Sequence, residues 1–349
     1  MDKKVILAVA GSGKTTYIIS HLSLEKRCLV VTYTNNNYKN LKQSIIKRFG
    51  FFPANIKLFT YFSFLYNFCY KPFVHKVIKA KGLNFTNDFY RYAKKNNLDY
   101  YQDMSGRIYS ARLSKLLTEL KLSNDINKRI SKYFDNFYID EVQDFGGNDF
   151  NFLKQISKAD VDHLLVGDYF QHTYDTSRDG AVNKNLHSDL KTYTEEFKKL
   201  GFNIDSSSLK KSWRCSPTIC EFVSERLNIH IESNRKHETE ITHISNLEDA
   251  RKIIEDNTVV KLFYQKHYDY DCFSKNWGES KGEDKHHDIC VVLNKNTYKF
   301  FVNNNLSELP ATTKNKLYVA ITRTKNNLFL VSEDLLSSYK KSLNTIEKS

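Results

Sequence analysis

The chain has 349 residues, 40% of them hydrophobic, so it is long enough to bury substantial cores, and we expect two domains. Its 53 Lys and Arg against 40 Asp and Glu give a formal net charge of +13, which would attract a polyanion; a codon bias toward Lys and Asn would also raise the charge. Six cysteines are dispersed without a C-x-x-C pair and there are only four prolines, which argues against a zinc site, a disulfide framework and long linkers.

No segment predicts membrane insertion. The apolar residues 5–10 form too short a run for a signal peptide, and the aromatic stretch 58–70 contains Thr60, Ser63 and Asn67, so it does not resemble a membrane span. We therefore expect a cytoplasmic protein without a membrane partner.

A phosphate-binding loop is predicted near the start of the sequence. Residues 5–7 are typical of a buried strand, residues 8–16 read AVAGSGKTT, and residues 17–22 have helical spacing. In this context Lys14 would reach the outer phosphates of a nucleoside triphosphate, and the Thr15 hydroxyl would ligate Mg²⁺. The loop residues that we expect to contact the nucleotide are Gly11, Ser12, Gly13, Lys14, Thr15 and Thr16.

Strands and helices alternate along the rest of the chain. Apolar and β-branched runs predict strands at 28–33, 56–60, 137–139, 161–166, 289–293 and 328–331. Helical spacing predicts a helix through Leu41 and Phe49, a turn and helix in 209–228, and a helix at 316–322. The alternation predicts an α/β fold with doubly wound parallel sheets.

Two domains are predicted, 1–205 and 206–349, with a plausible hinge at 201–208. The first carries a lysine-rich insertion at about 66–130 whose spacing is mainly helical.

Two carboxylates follow the strand predicted at 137–139. An ATP-hydrolysing site needs one carboxylate for the metal and another for the attacking water. Because side chains alternate along a strand, we expect Asp140 to face the metal through a water and Glu141 to face the attacking water. The simpler alternative is an acidic surface loop.

Seven segments occur in the order AGSGKT, VTYTN, YIDEVQD, VGDYFQ, SWRCS, SKGE and YVAITRTK, within the stretch from Ala8 to Lys325. This series resembles the motifs of superfamily 1 helicases of the UvrD/Rep type. The resemblance implies two RecA-like domains that use ATP and Mg²⁺ to move along single-stranded DNA, 3′ to 5′, with RNA not excluded.

The resemblance also assigns roles by position. It implies that Asp140 and Thr15 hold the metal, Trp213 stacks on the base of ATP, and Gly282 lies near the nucleotide. The implied catalytic residues are Glu141, Gln171, Arg214 and Arg323. The implied nucleic-acid contacts are Tyr33, Thr34, Asn35, Thr60, Ser63, Tyr174, Ser280 and Lys281. Of the Phe and Tyr residues between Phe59 and Tyr70, we expect about half to be core.

One departure from the UvrD/Rep pattern leaves a second function open. The region between Asn228 and Lys275 is too short for the large auxiliary domain of that family. The alternative is a regulatory, DNA-stimulated ATPase subunit that gates a partner nuclease, as in short UvrD-like subunits of antiviral defence systems. A small-molecule phosphotransferase is disfavoured by the arginine and glutamine motifs.

Overall fold

A computed structural model describes residues 2–86, 89, 92–173, 181–283 and 286–341. Contacts between residues divide the chain into two compact units. The first comprises Met1–Ala8, Lys14–Tyr169 and Tyr174–Ser208, and the second Val9–Gly13, Phe170–Thr173 and Leu209–Ser349.

The strands are short and follow the apolar runs of the sequence. They are β1 (Lys3–Leu7), β2 (Cys28–Thr32), β3 (Ile56–Thr60), β4 (Leu83–Asn84), β5 (Ile108–Tyr109), β6 (Asn136–Asp140), β7 (Asp162–Gly167), β8 (Asn203–Asp205), β9 (Lys211–Ser212), β10 (Glu232–Ser233), β11 (Ile241–Ile244), β12 (Val260–Phe263), β13 (Ser274–Asn276), β14 (Ile289–Leu293) and β15 (Leu328–Ser332).

The α-helices connect these strands, with one π-helical segment at Phe64–Tyr70 between α3 and α4. The helices are α1 (Lys14–Ser20), α2 (Asn35–Phe49), α3 (Tyr61–Ser63), α4 (Lys71–Val74), α5 (Ser110–Glu119), α6 (Ser123–Tyr133), α7 (Gly147–Ile156), α8 (Leu190–Lys198), α9 (Pro217–Leu227), α10 (Leu247–Glu255), α11 (Lys295–Val302) and α12 (Ala311–Ile321).

The first unit contains a parallel sheet of six strands in the order β3-β2-β6-β7-β1-β8. The chain runs from β1 outward to β2 and β3, returns through β6 and β7, and crosses β1 to reach β8. Every residue of β2 and of β6 is buried, as expected for central strands of a parallel sheet covered on both faces. The arrangement is doubly wound, and the carboxyl ends of its strands meet at one edge.

The second unit contains a parallel sheet of five strands in the order β11-β15-β14-β12-β13. Its core joins Leu262 of β12, Val291 of β14 and Leu330 of β15 to apolar residues of α9 and α12, including Ile219 and Leu317. The predicted α/β class with two parallel sheets is confirmed.

The prediction of a mainly helical insertion is wrong for the described residues between 75 and 109. The described part of this stretch contains the two-residue ladder of β4 with β5 and a single 3-10 turn at Leu98–Tyr100. The Arg112 guanidinium lies 3.7 Å from the Tyr100 ring centre and 3.8 Å from that of Phe89. Cation–π contacts therefore pack this region where helical spacing alone suggested regular helix.

The prediction of a hinge at 201–208 is wrong for its middle part. Asn203–Asp205 forms β8, which pairs with β1, and Lys4 Nζ lies 3.0 Å from Asp205 Oδ2. Three polar-flanked residues at a sheet edge give too weak a pattern to identify from sequence. Among the described residues, no helix combines the length and apolar character that crossing a bilayer requires.

Candidate functional site

The glycine-rich loop connects the end of β1 to the start of α1. Gly11 has φ +70° and Gly13 φ +89°, both in the left-handed region that favours glycine. A Cβ built on Gly11 would lie 2.7 Å from Arg214 Cβ and from Ser212 Oγ, within the second unit. Backbone conformation and close packing therefore both require glycine at position 11. Helix α1 begins at Lys14, with the free N–H groups of its first turn toward the loop.

The first unit brings the lysine and one of the predicted carboxylates together. Lys14 Nζ lies 3.7 Å from Glu141 Oε1, and both side chains are largely buried. Strand β6 ends at Asp140, and Glu141 takes the left-handed conformation with φ 58° and ψ 47°. We expected side-chain alternation along the strand to direct Asp140 and Glu141 apart. That reason is wrong, because Glu141 lies beyond the end of the strand and a turn in the backbone sets its direction.

Gln143 connects Glu141 to strand β7. Its Nε2 donates to Glu141 Oε2 at 2.6 Å, and its Oε1 accepts from the Asp168 N–H at 3.0 Å. The side chain is fully buried, and a Cβ added to Gly167 would come within 2.3 Å of its Oε1. Gln143 therefore holds the Glu141 carboxylate in place. The resemblance implied only that Gln143 is a polar contact near Gln171, so this role was missed; an amide two residues after the carboxylate pair was the available signal.

Asp140 is buried beside Thr32. The Thr32 hydroxyl donates to Asp140 Oδ2 at 3.4 Å. Asp140 as a whole residue is only 2% exposed to solvent. Burial raises the pKa of Asp140 to about 7; the Glu141 charge adds to the effect, and Lys14 and Thr32 oppose it. Thr32 was another missed residue, signalled by a polar side chain at the carboxyl end of an apolar strand.

The donor set fits a magnesium ion that is held together with phosphate. The buried Asp140 carboxylate is disfavoured in its charged form, and a divalent cation would compensate that charge. The described residues contain no group of three or more His, Cys, Asp or Glu side chains that could hold a metal. Magnesium commonly takes one or two carboxylates plus substrate phosphates and water, so few protein ligands suffice. On α1, Thr15 is partly buried and Thr16 is exposed.

The predicted arginines of the second unit are tied to neighbouring backbone. Arg214 Nη1 donates to Thr322 O at 3.0 Å, and Arg323 Nε donates to Val319 O at 3.2 Å. Arg323 is 1% exposed, whereas Arg214 is only partly buried. Both guanidinium groups are thus oriented by carbonyl groups around the end of α12.

Trp213 is an exposed aromatic residue of the second unit. Its backbone N–H donates to Gly11 O at 2.8 Å, while the residue is 68% exposed, so the indole ring is accessible to a stacking partner. Ser12 is buried, and its hydroxyl has no hydrogen-bond partner among the described residues.

Four other residues that the resemblance assigns to the nucleotide or the nucleic acid differ in burial. Ser280 is fully buried and its hydroxyl donates to Trp277 O at 2.7 Å, whereas Lys281 is partly buried. Gly282 is exposed with φ +81°. Gln171 is 3% exposed and belongs to the second unit. Their roles stay predictions, and Tyr174 lies outside the described residues.

Five of the predicted nucleic-acid contacts line one groove of about 460 Å³ in the first unit. They lie at or just after the carboxyl ends of β2 and β3: Tyr33, Thr34, Asn35, Thr60 and Ser63. The hydroxyl oxygens of Thr34 and Thr60 also cap the following helices, accepting from the N–H groups of Asn37 and Ser63.

The helical run after β3 has one core face and one groove face. Tyr61, Phe64, Phe68 and Tyr70 are buried, while Phe59, Phe62 and Tyr66 are only partly buried, which confirms that about half of these aromatics are core. On the groove side, Tyr66 and the exposed Asn67 come from the π-helical segment, and Asn67 Nδ2 donates to Ser63 Oγ at 3.1 Å.

No family model matches the chain, and no curated protein matches it. Among solved structures it is similar to a PRRSV helicase, at 12% identity and a TM-score of 0.48, over 97% of this chain and 54% of that one. It is also similar to arterivirus nonstructural protein 10, a helicase. In the complex with DNA the identity is 14% and the TM-score 0.48, over 94% of this chain and 60% of that one. In another crystal structure of that helicase the values are 13% and 0.48, over 97% and 62%. The chain thus spans less than two thirds of the length of each of these proteins.

Proposed function

We propose that the chain is an ATPase that moves along single-stranded DNA, a motor of the superfamily 1 helicase type. The observation that carries the proposal is the pairing of Lys14 with Glu141 at 3.7 Å, beside the buried Asp140, at the carboxyl edge of a parallel sheet. Such an edge is where open α/β sheets bind ligands. A site that cleaves phosphate bonds uses a lysine at a glycine-rich loop together with carboxylates for the metal and for the attacking water.

Each residue of this site has a distinct proposed task. Lys14 binds the outer phosphates, and Asp140 with Thr15 would hold Mg²⁺, which neutralises charge on the phosphates when bound. Nucleotide binding would draw Lys14 from Glu141 to phosphate, so that the carboxylate becomes available to orient the attacking water and accept its proton. Gln143 keeps the Glu141 carboxylate in position during this exchange.

The proposal assigns the remaining nucleotide contacts to Gln171, Trp213, Arg214 and Arg323. A guanidinium group near the γ-phosphate stabilises the charge that develops in the transition state, by about a thousandfold or more in P-loop enzymes. The planar fork of arginine suits phosphate oxygens better than the lysine ammonium does. Gln171 would respond to the γ-phosphate, and Trp213 would stack on the nucleotide base.

The groove lined by Tyr33, Thr60 and Ser63 is the proposed path of the strand. Hydroxyl groups can bond backbone phosphates while aromatic rings stack on bases, which is how single strands are bound without sequence preference. The net charge of +13 favours a polyanion as the partner.

A regulatory ATPase subunit of a nuclease complex is the second candidate. Residues 228–275 contain β10, β11, α10, β12 and the start of β13, and three of these strands belong to the second sheet. This segment therefore builds the sheet, and it does not carry an inserted auxiliary domain. DNA-stimulated ATPase activity without unwinding, together with a stable complex with a nuclease, would favour this candidate.

The proposal is tested by measuring ATP hydrolysis with single-stranded DNA, RNA and duplex DNA. We expect single-stranded DNA to stimulate hydrolysis, and we expect Lys14→Ala to abolish it because the phosphates lose their ammonium partner. Lys57→Ala, at an exposed position of β3, is the matched control and should behave as wild type. Hydrolysis that no nucleic acid stimulates would contradict a nucleic-acid motor, and strand displacement on a tailed duplex separates the two candidates.

A further inference from the structure

An exposed aromatic residue of the insertion, Phe85, lies at the same groove as the predicted strand contacts. Phe85 is 65% exposed, and its ring meets that of Phe62 at 5.4 Å between centroids and 84° between planes. The Phe62 ring in turn meets that of Tyr33 at 5.6 Å and 67°. Three rings therefore follow one another along the groove, and the outermost comes from outside the segments that resemble helicase motifs.

The neighbours of Phe85 are anchored. Residues Leu83 and Asn84 pair with Ile108 and Tyr109 as strands β4 and β5. Asn84 Nδ2 donates to Asp103 Oδ2 at 2.7 Å. A large apolar ring on an anchored backbone, left mostly in solvent, stabilises the free protein little and is suited to contact a ligand.

The groove lining and the stretch of chain that forms it carry no carboxylate, which bears on the kind of ligand. Residues 26–87 contain eleven lysines and arginines and no aspartate or glutamate, and every residue lining the groove comes from this stretch. Aromatic rings in a groove whose lining residues carry no carboxylate suit a partner with flat apolar rings on an anionic backbone. Single-stranded nucleic acid has this chemistry.

We propose that Phe85 is a base-stacking residue, by which the insertion extends the strand groove and holds a nucleobase of single-stranded DNA. The inference rests on the proposed function and adds a contact to it. Stacking of one base on an aromatic side chain contributes about 1–3 kcal/mol, so loss of the ring should weaken binding by about five- to a hundredfold.

The test compares a DNA with bases to one without them. Fluorescence anisotropy would measure binding of labelled oligothymidylate of about sixteen nucleotides and of an abasic sugar–phosphate oligomer of equal length. Phe85→Ala should weaken binding of oligothymidylate and leave binding of the abasic oligomer unchanged. Phe85→Tyr keeps the ring and should bind as wild type. Phe51→Ala is the matched control, since Phe51 is 55% exposed in the same carboxylate-free stretch but precedes the amino end of β3.

Three outcomes would overturn the inference, and they are distinguishable. If wild type binds oligothymidylate and Phe85→Ala binds it equally well, Phe85 does not stack, and the proposed function stands. If Phe85→Ala weakens both oligomers equally, the ring acts on the backbone or on the fold, and stacking is excluded. If wild type binds neither oligomer, the proposed function fails and the inference fails with it.

Discussion

Glu141 and its immediate partners define the chemistry at the scale of single residues. The carboxylate lies 3.7 Å from Lys14 Nζ on one side and accepts the Gln143 amide on the other. The lysine marks where phosphate would bind, while the amide fixes the carboxylate relative to β7 through the Asp168 N–H. Charge and orientation at this position are therefore controlled by different neighbours and can be altered separately.

Glu141→Gln should remove the proton acceptor and preserve the shape of the site. We expect kcat for ATP hydrolysis to fall by about a hundredfold or more, with nucleotide binding retained. Steady-state hydrolysis and titration with a fluorescent ATP analogue measure the two quantities. The exposed Glu25→Gln is the control. Hydrolysis at the wild-type rate in Glu141→Gln would exclude Glu141 as the base.

Gln143→Leu should misplace a carboxylate that is still present. We expect kcat to drop by about ten- to a hundredfold with a smaller change in KM, since an error of about 1 Å in a reacting group has effects of this size. Gly167→Ala should produce the same kcat defect, because its Cβ would lie 2.3 Å from Gln143 Oε1 and would push the amide aside. Gly278→Ala is the control for glycine loss, since a Cβ there would meet nothing nearer than Thr173 at 3.8 Å and Gly278 is outside the left-handed region. A normal kcat in both site variants would show that Gln143 does not orient Glu141.

At the scale of elements, the sequence predicts best the longer strands: every strand that was predicted has five or six residues, whereas those that were missed have four or fewer. The predicted bounds of 56–60 and 289–293 coincide with β3 and β14, and β2 and β15 differ from their predictions by one residue. Strands β8, β11 and β13 were missed because they are short, lie at sheet edges and carry polar residues, and the four-residue β12 was missed although it is buried. Such segments become strands through pairing with a neighbour, and local sequence does not encode that pairing.

The same limit applies to the candidate site. The loop Gly11 to Lys14 and the carboxylates could be predicted from motifs at strand ends, which meet at one edge of a parallel sheet, whereas the five groove residues came from the resemblance to helicase motifs. The left-handed conformation of Glu141, the Gln143 bridge and the place of Phe85 could not, because each depends on contacts between segments distant in sequence.

His163 on β7 should make the first unit sensitive to acid. Burial, with the Lys3 charge nearby, lowers the pKa of His163 to about 4. The unfolded chain, with a pKa near 6.5, binds the proton first, so stability should decrease as pH falls from about 6.5 to 4 and be unaffected by His163 above that range. The full effect is at most about 3 kcal/mol.

Urea unfolding at several pH values tests the predicted loss of stability in acid. The ring of His163 packs near Phe137 and Phe202, so His163→Phe should fit and should reduce the loss of stability between pH 6.5 and 4. His230→Gln, at a residue whose side chain is 76% exposed, is the control. An unchanged pH dependence in His163→Phe would show that another group is responsible.

At the scale of the whole molecule, the proposed motor requires both units for hydrolysis. Arg323 belongs to the second unit, and Lys14 to the first. We expect Arg323→Ala to abolish hydrolysis, since the transition-state charge loses a guanidinium worth about a thousandfold or more. Because Arg323 is buried, a melting curve must accompany the assay, and the less buried Arg214→Ala provides a second variant. Full activity in folded Arg323→Ala and Arg214→Ala would refute the requirement.

At Glu141, whose φ is 58°, the backbone conformation and the proposed chemistry favour different amino acids. A residue with a Cβ is disfavoured there by about 1–2 kcal/mol, whereas glycine or asparagine adopts the conformation readily. Backbone conformation alone would therefore favour Glu141→Gly, and such a descendant would have lost the base that we propose. A library of variants selected only for thermal stability should accordingly be enriched in substitutions of Glu141 that do not hydrolyse ATP, unless ATP hydrolysis is selected as well.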